Sequence, residues 1–210
     1  EYLRLTIAQA GTWSRVADVR FVPSEAPEGP GEEPPKEPEP PVGGGETGAI
    51  LYDNDFSQLP TELQGVPGWG LVELADGKAL QGTSPAGAGL LAPTLPETYT
   101  IVVDMAIMEA VGSNGYSAGL TFCHTDSSNF YHYRVDCGTK TNAQLYQWDR
   151  GTVNKRITPD FPMALTLGEA KRLRVTVDGE TIRCYMDGAL TQTYIASASG
   201  GYAGLRGYNA

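Results

Sequence analysis

The chain has 210 residues, of which 40% are hydrophobic and 19% charged, with 25 acidic against 15 basic side chains and a formal charge of -10. That balance argues against nucleic acid as a partner, because phosphate binding needs a surplus of Lys and Arg on one face and no such cluster occurs. No run approaches the eighteen or so apolar residues of a membrane span, which argues against membrane insertion, and Cys123, Cys137 and Cys184 are too scattered for a disulfide framework or a zinc site.

Residues 1–22 hold two β-like runs, Tyr2 to Ile7 and Val16 to Val22, too little to bury a core alone. Tyr2-Leu3-Arg4-Leu5 and Trp13-Ser14-Arg15-Val16-Ala17-Asp18-Val19-Arg20-Phe21 resemble the last strands of a discoidin-type (F5/8 type C) domain. The binding loops of that family lie upstream, so the resemblance carries over no ligand residue. The segment lacks the basic start and apolar core of a signal peptide and opens inside a strand pattern, so the true N-terminus is expected to lie elsewhere. As a fragment, it is expected to be poorly anchored over Leu3 to Ile7.

Residues 23–48 follow, with eight prolines and seven glutamates against one lysine. They bury too little surface to offset the entropy of ordering, and this predicts a disordered Pro/Glu-rich linker. In polyproline II geometry it could hold its ends up to roughly 80 Å apart. It carries most of the net negative charge, and it marks the chain as part of a modular protein whose partners include other domains of the same polypeptide.

Residues 49–210 are long enough for one well-cored domain and read as short strands between turn signals, with scarcely a helical stripe. The runs are Ile50 to Phe56, Gly70 to Glu73, Lys78 to Gln81, Gly89 to Ala92, Tyr99 to Met108, Ser117 to His124, Phe130 to Cys137, Ala143 to Asp149, Lys171 to Val177, Thr181 to Met186, Ala189 to Ile195 and Tyr202 to Gly207. This predicts an all-β sandwich. Asp178-Gly179 and Asp187-Gly188 signal tight hairpins, and Leu165 to Glu169 at most one turn of helix.

The loop Asp126-Ser127-Ser128-Asn129 suggests a register in which Thr125 opposes Phe130, Phe122 opposes Tyr133, Leu120 opposes Val135 and Ala118 opposes Cys137. Those apolar positions share the core face. The other face then carries Gly119, Thr121 and Cys123 beside His132, Arg134 and Asp136, with His124 turned away from His132 and Cys123 away from Cys137. Ile182, Cys184 and Met186 point inward, and Arg183 and Tyr185 outward. If Leu145 points inward, Tyr146 and Trp148 point outward and complete a sugar platform, since pyranose rings stack on aromatic faces while Thr121, His132 and Arg134 hydrogen-bond hydroxyls. The alternative places Tyr146 and Trp148 in the core, and Arg134 with Asp136 can equally be an ion pair on a solvated sheet.

Tyr52-Asp53-Asn54-Asp55-Phe56-Ser57, Gly119-Leu120-Thr121-Phe122, Asn129-Phe130-Tyr131-His132-Tyr133-Arg134-Val135, Leu173-Arg174-Val175-Thr176-Val177-Asp178-Gly179, Ile182-Arg183-Cys184-Tyr185-Met186-Asp187-Gly188 and Gly204-Leu205-Arg206 together resemble a concanavalin A-like (laminin G-like) jelly roll. The resemblance spans nearly all of Ile50 to Tyr208. It implies a carbohydrate-binding accessory module of a secreted or cell-surface bacterial glycoside hydrolase, with a polysaccharide as partner. In that family a further strand follows Tyr208, so the chain is expected to lack its last strand and to self-associate through the exposed edge.

Glycoside hydrolysis needs two carboxyl groups about 5 to 10 Å apart, and no window of this chain shows the E-x-D-x-x-E pattern of concanavalin-like glucanases. A Cys123-His132 nucleophile has no third group to orient it. The expected module is therefore non-catalytic, the alternatives being a catalytic jelly-roll glycosidase or lyase and a spacer or adhesin domain that binds no sugar. Asp53 and Asp55 supply the hard oxygen donors that calcium prefers, and the resemblance implies a structural calcium near them; an ordinary loop explains them too.

Overall fold

The computed structural model describes residues 5–8, 14–22, 52–54, 56–74, 77–83, 89–108, 116–137, 141–156, 161–196 and 200–208. The linker at 23–48 and Asp55 lie outside the described residues, as do the side chains of Asp53 and Cys137. The strands are β1 (Leu5–Ala8), β2 (Ser14–Val22), β3 (Tyr52–Asn54), β4 (Trp69–Leu74), β5 (Gly77–Thr83), β6 (Gly89–Leu95), β7 (Thr98–Ile107), β8 (Tyr116–Asp126), β9 (Asn129–Cys137), β10 (Asn142–Asp149), β11 (Thr152–Arg156), β12 (Phe161–Pro162), β13 (Lys171–Asp178), β14 (Thr181–Met186), β15 (Ala189–Ile195) and β16 (Gly201–Tyr208). Helical geometry among the described residues is confined to one 3-10 turn, Thr61–Leu63. The fold is all-β, as the sequence predicts.

Two sheets face each other. The first runs β15-β14-β13-β7-β1-β5-β4, with β2 paired to β3 and β7; the second runs β11-β10-β9-β8-β16-β6, with β12 paired to β10. β1 lies parallel to β5 and β7, and β2 antiparallel to β7 and β3. The N-terminal segment thus hydrogen-bonds into the first sheet.

Alternation explains the layers. Tyr99, Ile101, Val103 and Met105 of β7, Leu173, Val175 and Val177 of β13, and Ile182, Cys184 and Met186 of β14 point into one core. Leu120 and Phe122, Tyr131, Tyr133 and Val135, Ala143 and Leu145, and Ala203 and Leu205 meet them from the second sheet. Each buried Val, Leu or Phe contributes roughly 1.5 to 3 kcal/mol. Polar links cross the interior as well: Tyr133 Oη lies 2.8 Å from Thr191 Oγ1, and Gln192 Nε2 donates to the Ala143 carbonyl at 3.1 Å. They satisfy buried polar atoms and fix β9 and β10 against β15.

The hairpins follow local chemistry. Asp187 (φ 48°) and Gly188 (φ 84°) both sit in the left-handed region that a two-residue turn between antiparallel strands requires. The turn between β13 and β14 is Gly179-Glu180, one residue later than the sequence suggests, because Asp178 still pairs with Thr181. β11 and β12, absent from the strands read in the sequence, extend the second sheet along β10.

Candidate functional site

The β8–β9 register departs from the expected one for a physical reason. Near the turn Asp126 opposes Asn129, but beyond it Phe122 opposes Tyr131, Leu120 opposes Tyr133 and Ala118 opposes Val135, with a bulge between Phe122 and Asp126. Two residues are absorbed there, so the pairs slide while the faces keep their parity. Cys123 takes up the bulge with φ 50°. Its thiol turns into the core, 3.3 Å from Tyr99 Oη, and burial pushes its pKa up to about 11. This corrects two expectations. Cys123 is not on the face of His132, and His124 is not opposite it: the bulge carries His124 to the outer face, stacked on Phe130 with centroids 4.4 Å apart.

On that outer face, four rows cross strands β16, β8, β9 and β10. Register aligns Tyr202, His124, Phe130 and Trp148 in the first, the bulge lying between its second and third members, and Gly204, Thr121, His132 and Tyr146 in the second. Arg206, Gly119, Arg134 and Gln144 make the third, and Ser117, Asp136 and Asn142 the fourth, on β8, β9 and β10 alone. Leu145 is fully buried in the core, so Tyr146 and Trp148 belong to the outer face, each half-buried. Thr121, His132, Arg134, Tyr146 and Trp148, picked out from the sequence, therefore come together on one surface.

That surface is built differently from an open platform, because guanidinium groups lie on the rings. The Arg134 guanidinium sits 3.9 Å over the Tyr146 ring and the Arg206 guanidinium 4.1 Å over Trp148, where each gains cation–π attraction. Trp148 also stacks on Phe130 at 5.3 Å, and Tyr146 Oη donates to Gln144 Oε1 at 2.6 Å. Arg134 pairs with Asp136 through Nε at 2.8 Å and Nη2 at 3.0 Å, so the ion pair read as an alternative is present as well.

Under this cap the floor is buried. Thr121 and His132 are 0% and 1% exposed, and Thr121 Oγ1, His132 Nε2 and Ser117 Oγ have no hydrogen-bond partner. Leaving such atoms buried and unpaired costs about 1 to 3 kcal/mol each, so they are usually satisfied unless something else is to meet them. Burial holds both imidazoles neutral. His132 is pushed well below its ordinary pKa by desolvation, then by Arg134 and Arg206, and His124 falls to about 4, mainly through burial.

Sequence reasoning missed Arg206, Phe130, Gln144 and His124. Arg206 is out of phase with buried Ala203 and Leu205, so its outward side was legible; its place beside β8 was not. Asn54 of the proposed calcium motif accepts the Phe56 N–H at 2.8 Å through Oδ1 and donates to Tyr52 Oη at 3.2 Å. Among the described residues no three His, Cys, Asp or Glu side chains gather as a metal site.

No protein-family model matches the chain, and no curated protein matches it. Among solved structures the chain is similar to the carbohydrate-binding module CBM66 from Bacillus subtilis, with 20% identity and a TM-score of 0.54 over 68% of this chain and 88% of that one. It is also similar to a GH43_12 retrieved from a capybara gut metagenome, with 18% identity and a TM-score of 0.48 over 75% of this chain and 34% of that one. Sheep galectin-11 in complex with glycerol aligns at 12% identity and a TM-score of 0.44, over 58% and 90% of the two chains. The first of these likenesses shows a shared β-sandwich fold.

Proposed function

We propose that the domain is a non-catalytic carbohydrate-binding module, and that the outer face of β16, β8, β9 and β10 is where the glycan docks. The observation that carries this reading is the meeting of half-buried Tyr146 and Trp148 with buried, unpartnered Thr121 Oγ1 and His132 Nε2 on one sheet face. The parts of the rings that the guanidiniums leave exposed give apolar area to a sugar's C–H face, and guanidinium N–H groups donate to its hydroxyls. The likeness to the Bacillus subtilis carbohydrate-binding module supports this reading. The face holds one carboxylate, Asp136, already paired with Arg134, where hydrolysis would call for two. With Cys123 turned inward, no thiol among the described side chains stands beside His132.

In this proposal the module works as an accessory domain of a secreted or cell-surface bacterial glycoside hydrolase. The Pro/Glu-rich stretch spaces it from the other domains, and the partner is a polysaccharide. A glycan array on the full chain is expected to return hits that Trp148→Ala weakens about tenfold or more, with thermal melting little changed. Binding that survives Trp148→Ala intact would move the site elsewhere, and turnover of a glycoside would make the domain an enzyme.

Calcium belongs to the same proposal, with Asp53 and Asp55 as its oxygen donors. Millimolar calcium is expected to raise the melting temperature by about 2 to 4 °C, an effect absent in Asp53→Asn/Asp55→Asn. Identical melting curves with calcium and with chelator would rule it out.

A further inference from the structure

We propose that β15 is an interface at which two copies of this chain join their first sheets edge to edge, antiparallel about a twofold axis. β15 ends that sheet, with β14 as its strand partner among the described residues. Such a border presents backbone N–H and C=O groups to a further strand, and proteins normally defend it with charge or proline. The other bordering strands carry those defences: Asp53 in β3, Glu73 in β4, Pro93 in β6, Lys155 and Arg156 in β11, and Pro162 in β12. β15, from Ala189 to Ile195, has neither.

The side chains invite the same contact. Leu190, Thr193 and Ile195 stand opposite Tyr185, Arg183 and Thr181, which alternate with buried Ile182, Cys184 and Met186, so the three share the outward face. Leu190 is 50% and Ile195 63% exposed, two of the five large apolar side chains left open among the described residues. A bulge, itself a deterrent to pairing, is confined to Thr191; Gln192 to Ile195 run one to one against Cys184 to Thr181.

The order of that face selects a second copy as the partner. Antiparallel pairing of identical strands puts the axis where a residue faces its own copy, and Thr193 is the outward residue at the middle. Read in either direction the face is apolar, hydroxyl, apolar, so Leu190 of each copy comes to lie beside Ile195 of the other. The net charge of -10 repels copies at long range, but none of it lies on β15 and salt screens the rest. This is not the edge expected beyond Tyr208, because β16 belongs to the second sheet and lies between β8 and β6.

A twofold between antiparallel strands runs perpendicular to the sheet, so each face keeps its side when two copies join. The outer faces of both second sheets then look the same way, and the dimer offers one polymer two docking surfaces. That use rests on the proposed docking surface; the pairing itself does not. Sedimentation velocity on the full chain reads the pairing. One strand edge buries little area, so a dimer with a dissociation constant of about 100 µM is expected. Thr193→Lys sets two like charges on the axis and is expected to raise that constant about tenfold or more while the melting temperature holds. Thr152→Lys, at an exposed position of the bordering strand β11, is expected to leave it unchanged.

Thr193→Cys supplies the site-specific reading. Facing residues of an antiparallel pair have Cα atoms about 4.5 to 5.5 Å apart, within disulfide range, so mild oxidation is expected to give a covalent dimer that Thr152→Cys does not form. A chain still monomeric at about 500 µM, well above the expected constant, would overturn the proposal. So would a dimer that Thr193→Lys leaves intact, or equal cross-linking at both cysteines. Loss of glycan binding in Trp148→Ala leaves the sedimentation result untouched, so failure of the docking surface and failure of this interface are read separately.

Discussion

Between pH 6.5 and pH 4 the domain is expected to lose a large part of its stability, because two imidazoles are buried in the neutral form. His124 titrates near 4 in the folded chain, chiefly through desolvation, and near 6.5 when free. The unfolded chain therefore takes up the proton first. The stabilisation is complete above pH 6.5 and drains away as the pH falls toward 4, in the sense required when the unfolded state binds more protons. A displacement of that size corresponds to about 3 kcal/mol. His132 is shifted in the same direction. Against a total of about 5 to 15 kcal/mol, this is a major fraction. Urea unfolding at pH 7, 5.5 and 4.5 should show the midpoint falling at each step, and His124→Gln should flatten the trend. A midpoint that stays constant from pH 7 to 4.5 would falsify the buried neutral state.

Gly119→Ala is expected to be among the most damaging single substitutions in the second sheet. A Cβ at this position would overlap the Tyr133 carbonyl oxygen and crowd Arg134 Cα. Both obstacles are backbone of β9, so no side-chain rotation relieves them, and β8 and β9 must move apart. We expect a loss of about 3 kcal/mol or more, at the upper end of what small-to-large changes cost in packed interiors. Displacement of β9 also shifts His132 and Arg134, so binding at the proposed site should fall together with stability. Gly70→Ala in β4, where an added Cβ meets nothing within 4 Å, is the control and should melt close to the parent. Similar melting temperatures for the two variants would show that the strands yield more easily than their spacing implies.

Much of this was open to reading from period-two alternation. The inward set of Leu120, Phe122, Tyr133, Val135 and Leu145 follows from alternation alone, as does the alternating burial of β14, and with Leu145 inward Tyr146 and Trp148 must face out. The exact pairs did not follow, because the bulge at Cys123 has no Gly or Pro to announce it; a cysteine with positive φ is invisible in the sequence. Parity survived only because two residues were absorbed rather than one. Arg206 was hidden for another reason. Its contact with Trp148 joins residues far apart in the chain, and strand order, which places β16 next to β8, is a tertiary fact that local pattern does not encode. Burial of Thr121 and His132 was missed with it, since the covering group was not yet in place.

Turning Cys123 inward also decides how the domain fares among oxidants. With its pKa at about 11, roughly one molecule in ten thousand carries a thiolate there at neutral pH, and Cys184 is fully enclosed with its own pKa raised by burial. Neither sulfur should exchange with external disulfides or be capped by glutathione while the chain stays folded. Protection of these two sulfurs is thus supplied by packing, without a covalent cross-link between them.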